Sequence, residues 1–247
     1  MKDYKILALD ESGKASLNHL SKNFVLSGLI IPENLKPRID KSIRRLKKKY
    51  FSDEDIVFHC RDMLRKKGLF SILRSDPKKE INFWSDFISI LNIKSLSPAF
   101  VLTDKEKAKK LGWDKIAILR KSYNKILEEF VKKHLSGDNG KIIAESEPAQ
   151  DKYLIEAHNR LQSIGIPSEN ITGSDYRNKV TSLSLVNKSN LDVDIQLSDS
   201  LAIMADLVYK IKTKKKEKLT NIESMMARLI DRKMKDKDSP GIFEIIA

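Results

Sequence analysis

A chain of 247 residues with 40% hydrophobic content can bury one substantial core, and its net charge of +13 suggests a polyanionic partner, most simply nucleic acid, although solvated lysines would give the same figure. A single cysteine, Cys60, excludes a disulfide framework and a cysteine zinc site, and His19, His59, His134 and His158 lack metal-finger spacing. No apolar run reaches membrane-spanning length, and Met1-Lys2-Asp3-Tyr4 does not begin a signal peptide, so the cytoplasm is expected and no membrane partner.

Lys5 to Asp10 and Asn23 to Ile31 read as apolar strands, joined through a Gly13-Lys14-Ala15-Ser16 turn into a hairpin or meander. Pro37 to Tyr50 is a basic amphipathic helix, and Ile56-Val57-Phe58-His59 is a short strand candidate ending on histidine. Lys78 to Leu91 places Ile81, Trp84, Phe87, Ile88 and Leu91 at helical spacing, and Ala99 to Leu102 forms a strand ending at Thr103-Asp104. Trp113 to Leu135 is a long helix, stopped by Gly137-Asp138-Asn139-Gly140. A brief strand, Lys141 to Ala144, then runs directly into Glu145. Asp151 to Ile164 is helical, Ser182 to Asn187 alternates like a strand, and helices follow at Ile195 to Lys212 and Asn221 to Lys233. Strands first, then alternating helix and strand, predict an α/β fold with a mixed sheet flanked by helices. The basic stretch Lys212 to Lys218 reads as a linker, so residues 1–212 form the expected domain and 213–247 a C-terminal helical appendage. Met225, Met226 and Leu229 on the last helix offer an interface.

Carboxylates stand at the ends of several of these elements. Asp10 and Glu11 terminate the first strand, Glu145 the strand from Lys141, with Glu147 two residues on, and Asp199 lies near the start of its helix. A charge at the end of a buried strand costs free energy unless something compensates it. Acids converging from separate elements at one sheet rim give the oxygen-rich setting that Mg²⁺ or Mn²⁺ prefers, and such ions would relieve their repulsion. For Asp10 the competing reading is turn chemistry, since Asp-x-Ser-Gly is a common turn. Glu11 points to the opposite face from Asp10 if the strand continues, whereas Glu147 shares a face with Glu145. Asp151 reads as the N-cap of the helix that follows. Periodicity sets Asp199, with Asp206, opposite the apolar stripe Leu197, Leu201, Met204 and Val208, which reads as a solvated face unless the helix crosses the rim. Gln196 and Ser198 could cap or orient this helix.

His59 is a candidate for orienting water or moving a proton, against an equally simple structural role. Ser12 has no His-Asp partner at informative spacing, so a serine hydrolase is excluded. The runs Arg44-Arg45-Leu46-Lys47-Lys48-Lys49, Arg65-Lys66-Lys67 and Lys212 to Lys218 are individually ordinary helix faces, though together they would make a basic rim steering polyanions. Trp84 and Trp113 lie on apolar helical faces and read as core.

The motifs Leu9-Asp10-Glu11-Ser12-Gly13, Val57-Phe58-His59, Ile143-Ala144-Glu145-Ser146 and Asp194-Ile195-Gln196-Leu197-Ser198-Asp199-Ser200, in this order, resemble the proteins grouped as domain of unknown function 3800. The resemblance covers most of the chain, from the first strand to the helix after Asp199. It implies an RNase H-like fold and a metal-dependent nuclease that hydrolyses phosphodiester bonds in DNA or RNA. By that resemblance Asp10, Glu145 and Asp199 are metal ligands for one or two Mg²⁺ or Mn²⁺ ions, with Glu147 or Glu11 as an extra ligand, and His59 matches a further motif position. The chain departs from the family pattern at Ser198, where Ala is usual, and at Glu147, where a basic residue often follows the Glu-Ser pair. The alternative is a non-catalytic RNase H-like module that binds nucleic acid or protein in a mobile-element or phage-defence setting.

Overall fold

The computed structural model describes residues 4–187, 192–237 and 240–247. Its elements in chain order are β1 (Tyr4–Ser12), β2 (Asn23–Pro32), α1 (Lys36–Phe51), α2 (Cys60–Arg65), α3 (Pro77–Leu91), β3 (Ser97–Asp104), α4 (Lys105–Lys110) and α5 (Lys115–His134). There follow β4 (Asn139–Glu145), α6 (Asp151–Ile164), α7 (Gly173–Lys179), β5 (Val180–Val186), α8 (Val193–Lys212), α9 (Asn221–Met234) and β6 (Ile242–Ile245).

The strands form one six-stranded sheet in the order β5-β4-β1-β2-β3-β6. β1, β2 and β3 are a meander of antiparallel neighbours, while β4 lies parallel to β1, β5 parallel to β4, and β6 parallel to β3. Strands covered on both faces carry near-continuous apolar runs, which is why Phe24 to Ile31 shows so little alternation. The pleat divides successive side chains between two cores. Ile6 and Ala8 of β1 face α1, α3, α8 and α9, through Ile43, Phe87, Leu201 and Met226. Leu7 and Leu9 face α5 and α6, through Ile126, Phe130 and Leu161. This α/β architecture agrees with the expected mixed sheet flanked by helices. Among the described residues, no helix is long and apolar enough to cross a membrane.

Local signals account for most boundaries. Asp76 caps α3 by accepting from Lys79 N–H, with Pro77 at the first helical position, and Asp114 caps α5 by accepting from Ala117 N–H. α9 opens with a reciprocal Thr220–Glu223 capping box.

The structure corrects three expectations. Residues 56–59 are not a strand. Ile56 and Phe58 are buried, but Phe58 inserts edge-on among Phe51 and Phe83, and its N–H bonds to the Gln196 side chain rather than to a neighbouring strand. The tail is no appendage: Ile242–Ile245 extends the sheet beside β3, and Met226, Leu229 and Ile230 of α9 enter the core shared with β1. Among the described residues after 212, α9 and β6 are packed against the same sheet as the rest of the chain, and Met226 and Leu229 are spent on the core rather than offered as an interface. Finally, Trp84 is fully buried, but Trp113 is only half-buried, with Lys121 Nζ 4.7 Å from its ring centre.

Candidate functional site

The site forms where the C-terminal ends of β1 and β4 meet the first turns of α8. In the antiparallel pair, Asp10 lies opposite Ser27 of β2. The Ser27 hydroxyl donates to the Ser198 carbonyl oxygen (2.8 Å), and the Ser198 hydroxyl donates back to the Ser27 carbonyl oxygen (3.2 Å). Both serines are fully buried, so small side chains let α8 sit directly on the sheet at the level of Asp10. Asp199 follows immediately. β1 and β4 run in parallel register up to Leu9 beside Ala144, so the next pair is Asp10 beside Glu145, on the α8 face of the sheet.

The structure thus brings together Asp10, Glu145 and Asp199. Asp10 is buried, and its carboxyl is raised well above the ordinary range, first by burial and then by the charges of Asp199 and Glu145. A short hydrogen bond from Glu11 N–H (2.6 Å) pulls in the other direction without reversing this.

Asp199 is not on a solvated face. Residues 193–202 of α8 are buried almost without interruption, because the sheet covers one side of the helix and residues 56–63 cover the other. Asp199 Oδ2 accepts from Cys60 N–H (2.7 Å) and lies 2.9 Å from His59 Nδ1. One turn earlier, Gln196 Oε1 accepts from Phe58 N–H (3.0 Å). Gln196 and Asp199 together clamp residues 58–60 against α8, leaving the His59 ring about half exposed at the site, at 52%. The His59 pKa is raised, chiefly by its hydrogen bond to Asp199, against the effect of partial burial. Asp206, further along the helix, is occupied by Asn23 Nδ2 and Lys210 Nζ, each 2.6 Å away.

Glu11 takes the opposite face of β1, as strand alternation requires. It accepts from the Gln150 amide and from the buried Tyr123 hydroxyl, whose pKa is pushed up by burial and by Glu11 itself. Glu147 lies on the turn after β4. That turn is held by Asp151, whose carboxylate accepts from Ser146 Oγ (2.7 Å) and Glu147 N–H (2.8 Å). Asp151 therefore reaches back to the turn, and Gln150 occupies the N-cap position expected for it. Gly13, at φ +83°, closes the turn after β1, and any side chain there would strike the Asn23 carbonyl.

Asp10, Glu11, His59, Glu145, Glu147 and Asp199 line a cleft of about 580 Å³, together with Lys14, Arg61, Asp62 and Asp192. Sequence reasoning did not single out Lys14 or Arg61, since isolated charges carry no periodic or motif signal. It pointed instead to basic runs, six of whose thirteen side chains the structure pairs with acids. Arg44 meets Asp40, Lys48 Glu54, Lys49 Asp86, Lys66 Glu80, Lys215 Asp104 and Lys216 Glu223. Lys47 is buried over the Phe58 ring, with its pKa lowered to about 8 by desolvation. The first run lies on α1, while Lys66, Lys67 and residues 213–218 lie past the ends of α2 and α8.

The donor set at the rim is carboxylate oxygen, the chemistry that suits Mg²⁺ or Mn²⁺, and a cation there would relieve the repulsion that Asp10 meets. Among the described residues, no group of three His, Cys, Asp or Glu side chains is already arranged to hold a metal ion. Cys60 is fully buried with its thiol pKa pushed up, so it is inert as a nucleophile. No protein-family model matches the chain. No curated protein matches it.

Proposed function

We propose that this chain is a metal-dependent nuclease of RNase H-like fold, belonging with the domain of unknown function 3800 proteins, that hydrolyses phosphodiester bonds in DNA or RNA. The observation carrying this reading is the position of Asp10: at the end of a buried central strand, desolvated, with Glu145 and Asp199 beside it. Such an arrangement is costly to folding and is expected only where it serves binding or chemistry. A mixed sheet flanked by helices, with acids at the strand ends and on a covering helix, is also what the resemblance implies.

Asp10, Glu145 and Asp199 are the proposed ligands, and Glu147 on the adjoining turn is the best placed to add another. Glu11, committed to Gln150 and Tyr123, acts instead as a support beneath the rim. A bound Mg²⁺ or Mn²⁺ ion, or a pair, would supply the charge that activates water and stabilises the phosphoryl oxygens. With Nδ1 held by Asp199, the other ring nitrogen of His59 is the one available to orient a water or carry a proton at the cleft.

A panel of labelled DNA and RNA substrates, incubated with Mg²⁺ or Mn²⁺ and with EDTA, tests the proposal. Cleavage is expected only with metal, and is expected to fall to background in Asp10→Asn, Glu145→Gln and Asp199→Asn variants that remain folded. Binding of nucleic acid without metal, and without cleavage under any condition, would place the chain among non-catalytic binding modules instead.

A further inference from the structure

The cleft holds more than the acids need. Beside Asp10 and Asp199 its wall is aliphatic: Val57, Val186, Ile195 and Ile203 line it, and Val57 keeps 38% of its surface exposed despite lying between buried Ile56 and Phe58. Two cations, Lys14 after β1 and Arg61 on α2, line the same space. Neither has an ion-pair partner among the described residues, although acids line the same cleft. A wall of aliphatic groups offers little to an intact duplex beyond contact with thymine methyl groups, since a duplex presents phosphates and groove edges outward and keeps its base faces stacked inside. It does suit the face of a base that has left the stack. A space of about 580 Å³ is of the size that holds a small organic ligand, and so a nucleotide.

Resting on the function proposed above, we infer that the cleft receives an unpaired nucleotide of a single strand: its phosphates engage Lys14 and Arg61, and its base lies against Val57, Val186, Ile195 and Ile203. Cations along the backbone with side chains packed against the base faces is the general solution for single-strand binding, most often with aromatic platforms; here an aliphatic wall would supply the packing. The clamp of residues 58–60 by Gln196 and Asp199 keeps Val57 and Arg61 on either side of His59 and so fixes the wall relative to the acids.

Fluorescence anisotropy on the full chain carrying Asp10→Asn, which prevents cutting, reads this directly. The probes are a labelled single-stranded DNA, the RNA of the same sequence, the blunt duplex, and a DNA strand whose central positions are abasic. The expected result is at least tenfold tighter binding of either single strand than of the duplex, and a severalfold loss on the abasic strand, which keeps every phosphate. Lys14→Ala with Arg61→Ala should weaken all probes and flatten the dependence of affinity on salt, by about 0.7 in logarithmic slope for each single-strand phosphate no longer neutralised. Equal affinity for duplex and single strand, equal affinity for abasic and intact strands, or no binding to any probe would overturn the inference. Because the readout uses neither metal nor cleavage, its failure is separate from that of the nuclease reading, which stands or falls on metal binding by the wild type.

Discussion

Replacing Asp10 by Asn should make the metal-free protein more stable. Asparagine keeps the shape and an oxygen that can still accept from Glu11 N–H, but it removes the charge that burial, Asp199 and Glu145 all oppose. Neighbouring strands lie about 5 Å apart, and two unit charges at that distance repel by about 3 kcal/mol at an effective dielectric constant of 20. Solvent and the shared hydrogen bond with Glu145 reduce this, so the expected net gain is about 1–3 kcal/mol, each kcal/mol raising Tm by about 2–4 °C in a chain of this size. Urea and thermal unfolding in EDTA at pH 7 provide the measurement. The pH dependence has a definite sign. The folded-state pKa of Asp10 is raised, so its charge penalises the native state at neutral pH. That penalty fades as pH falls toward the unfolded carboxylate value near 4, about where the gap between variant and wild type should close. Equal or lower stability of Asp10→Asn in EDTA at pH 7 would refute the claim that these acids repel one another in the folded state.

Asp199 should behave oppositely. Asp199→Ala leaves the buried Cys60 N–H without its acceptor and frees His59, at an expected cost of about 1–3 kcal/mol in urea midpoints. A stabilising Asp199→Ala would contradict the clamp described for residues 58–60. His134 at the end of α5 is buried, its Nε2 has no hydrogen-bond partner among the described residues, and its pKa is lowered to about 4 by burial, with Lys5 contributing. Its stability contribution is complete above about pH 6.5 and is lost as pH falls toward 4, with a slope of at most about 1.4 kcal/mol per pH unit. His134→Leu should therefore flatten the fall in stability across that window, and an unchanged slope would rule out this residue as its source.

Much of the fold was legible because both of its periods were. The apolar runs of β1 and β2 and the 3.6-residue spacing of α3 each had one consistent reading, and Gly137-Asp138-Asn139-Gly140 marked the end of the long helix α5. What failed were segments whose partners are distant in sequence. Residues 56–59 alternate like a strand, yet their backbone is bonded by side chains of α8, far along the chain. Ile242–Ile245 is too short to announce itself as a strand and gains its place only by lying beside β3. The site was partly legible for the same reason. Asp10 and Glu145 stand out as acids ending apolar runs, which is a local signal. Asp199 does not, because helical periodicity assumes one buried face, and α8 is covered on both sides. Its proposed role rests on the motif resemblance, and its burial on the packing of residues 56–63. Lys14 and Arg61 carried no signal, since only the closed cleft sets them beside the acids.

Calorimetric titration of the full chain with Mn²⁺ and Mg²⁺ bears most directly on whether the rim is a metal site. The account predicts saturable binding by the wild type, loss of that binding in Asp10→Asn and Glu145→Gln, and a metal-dependent rise in Tm for the wild type alone. Absence of binding by the wild type, with and without an added oligonucleotide, would contradict it.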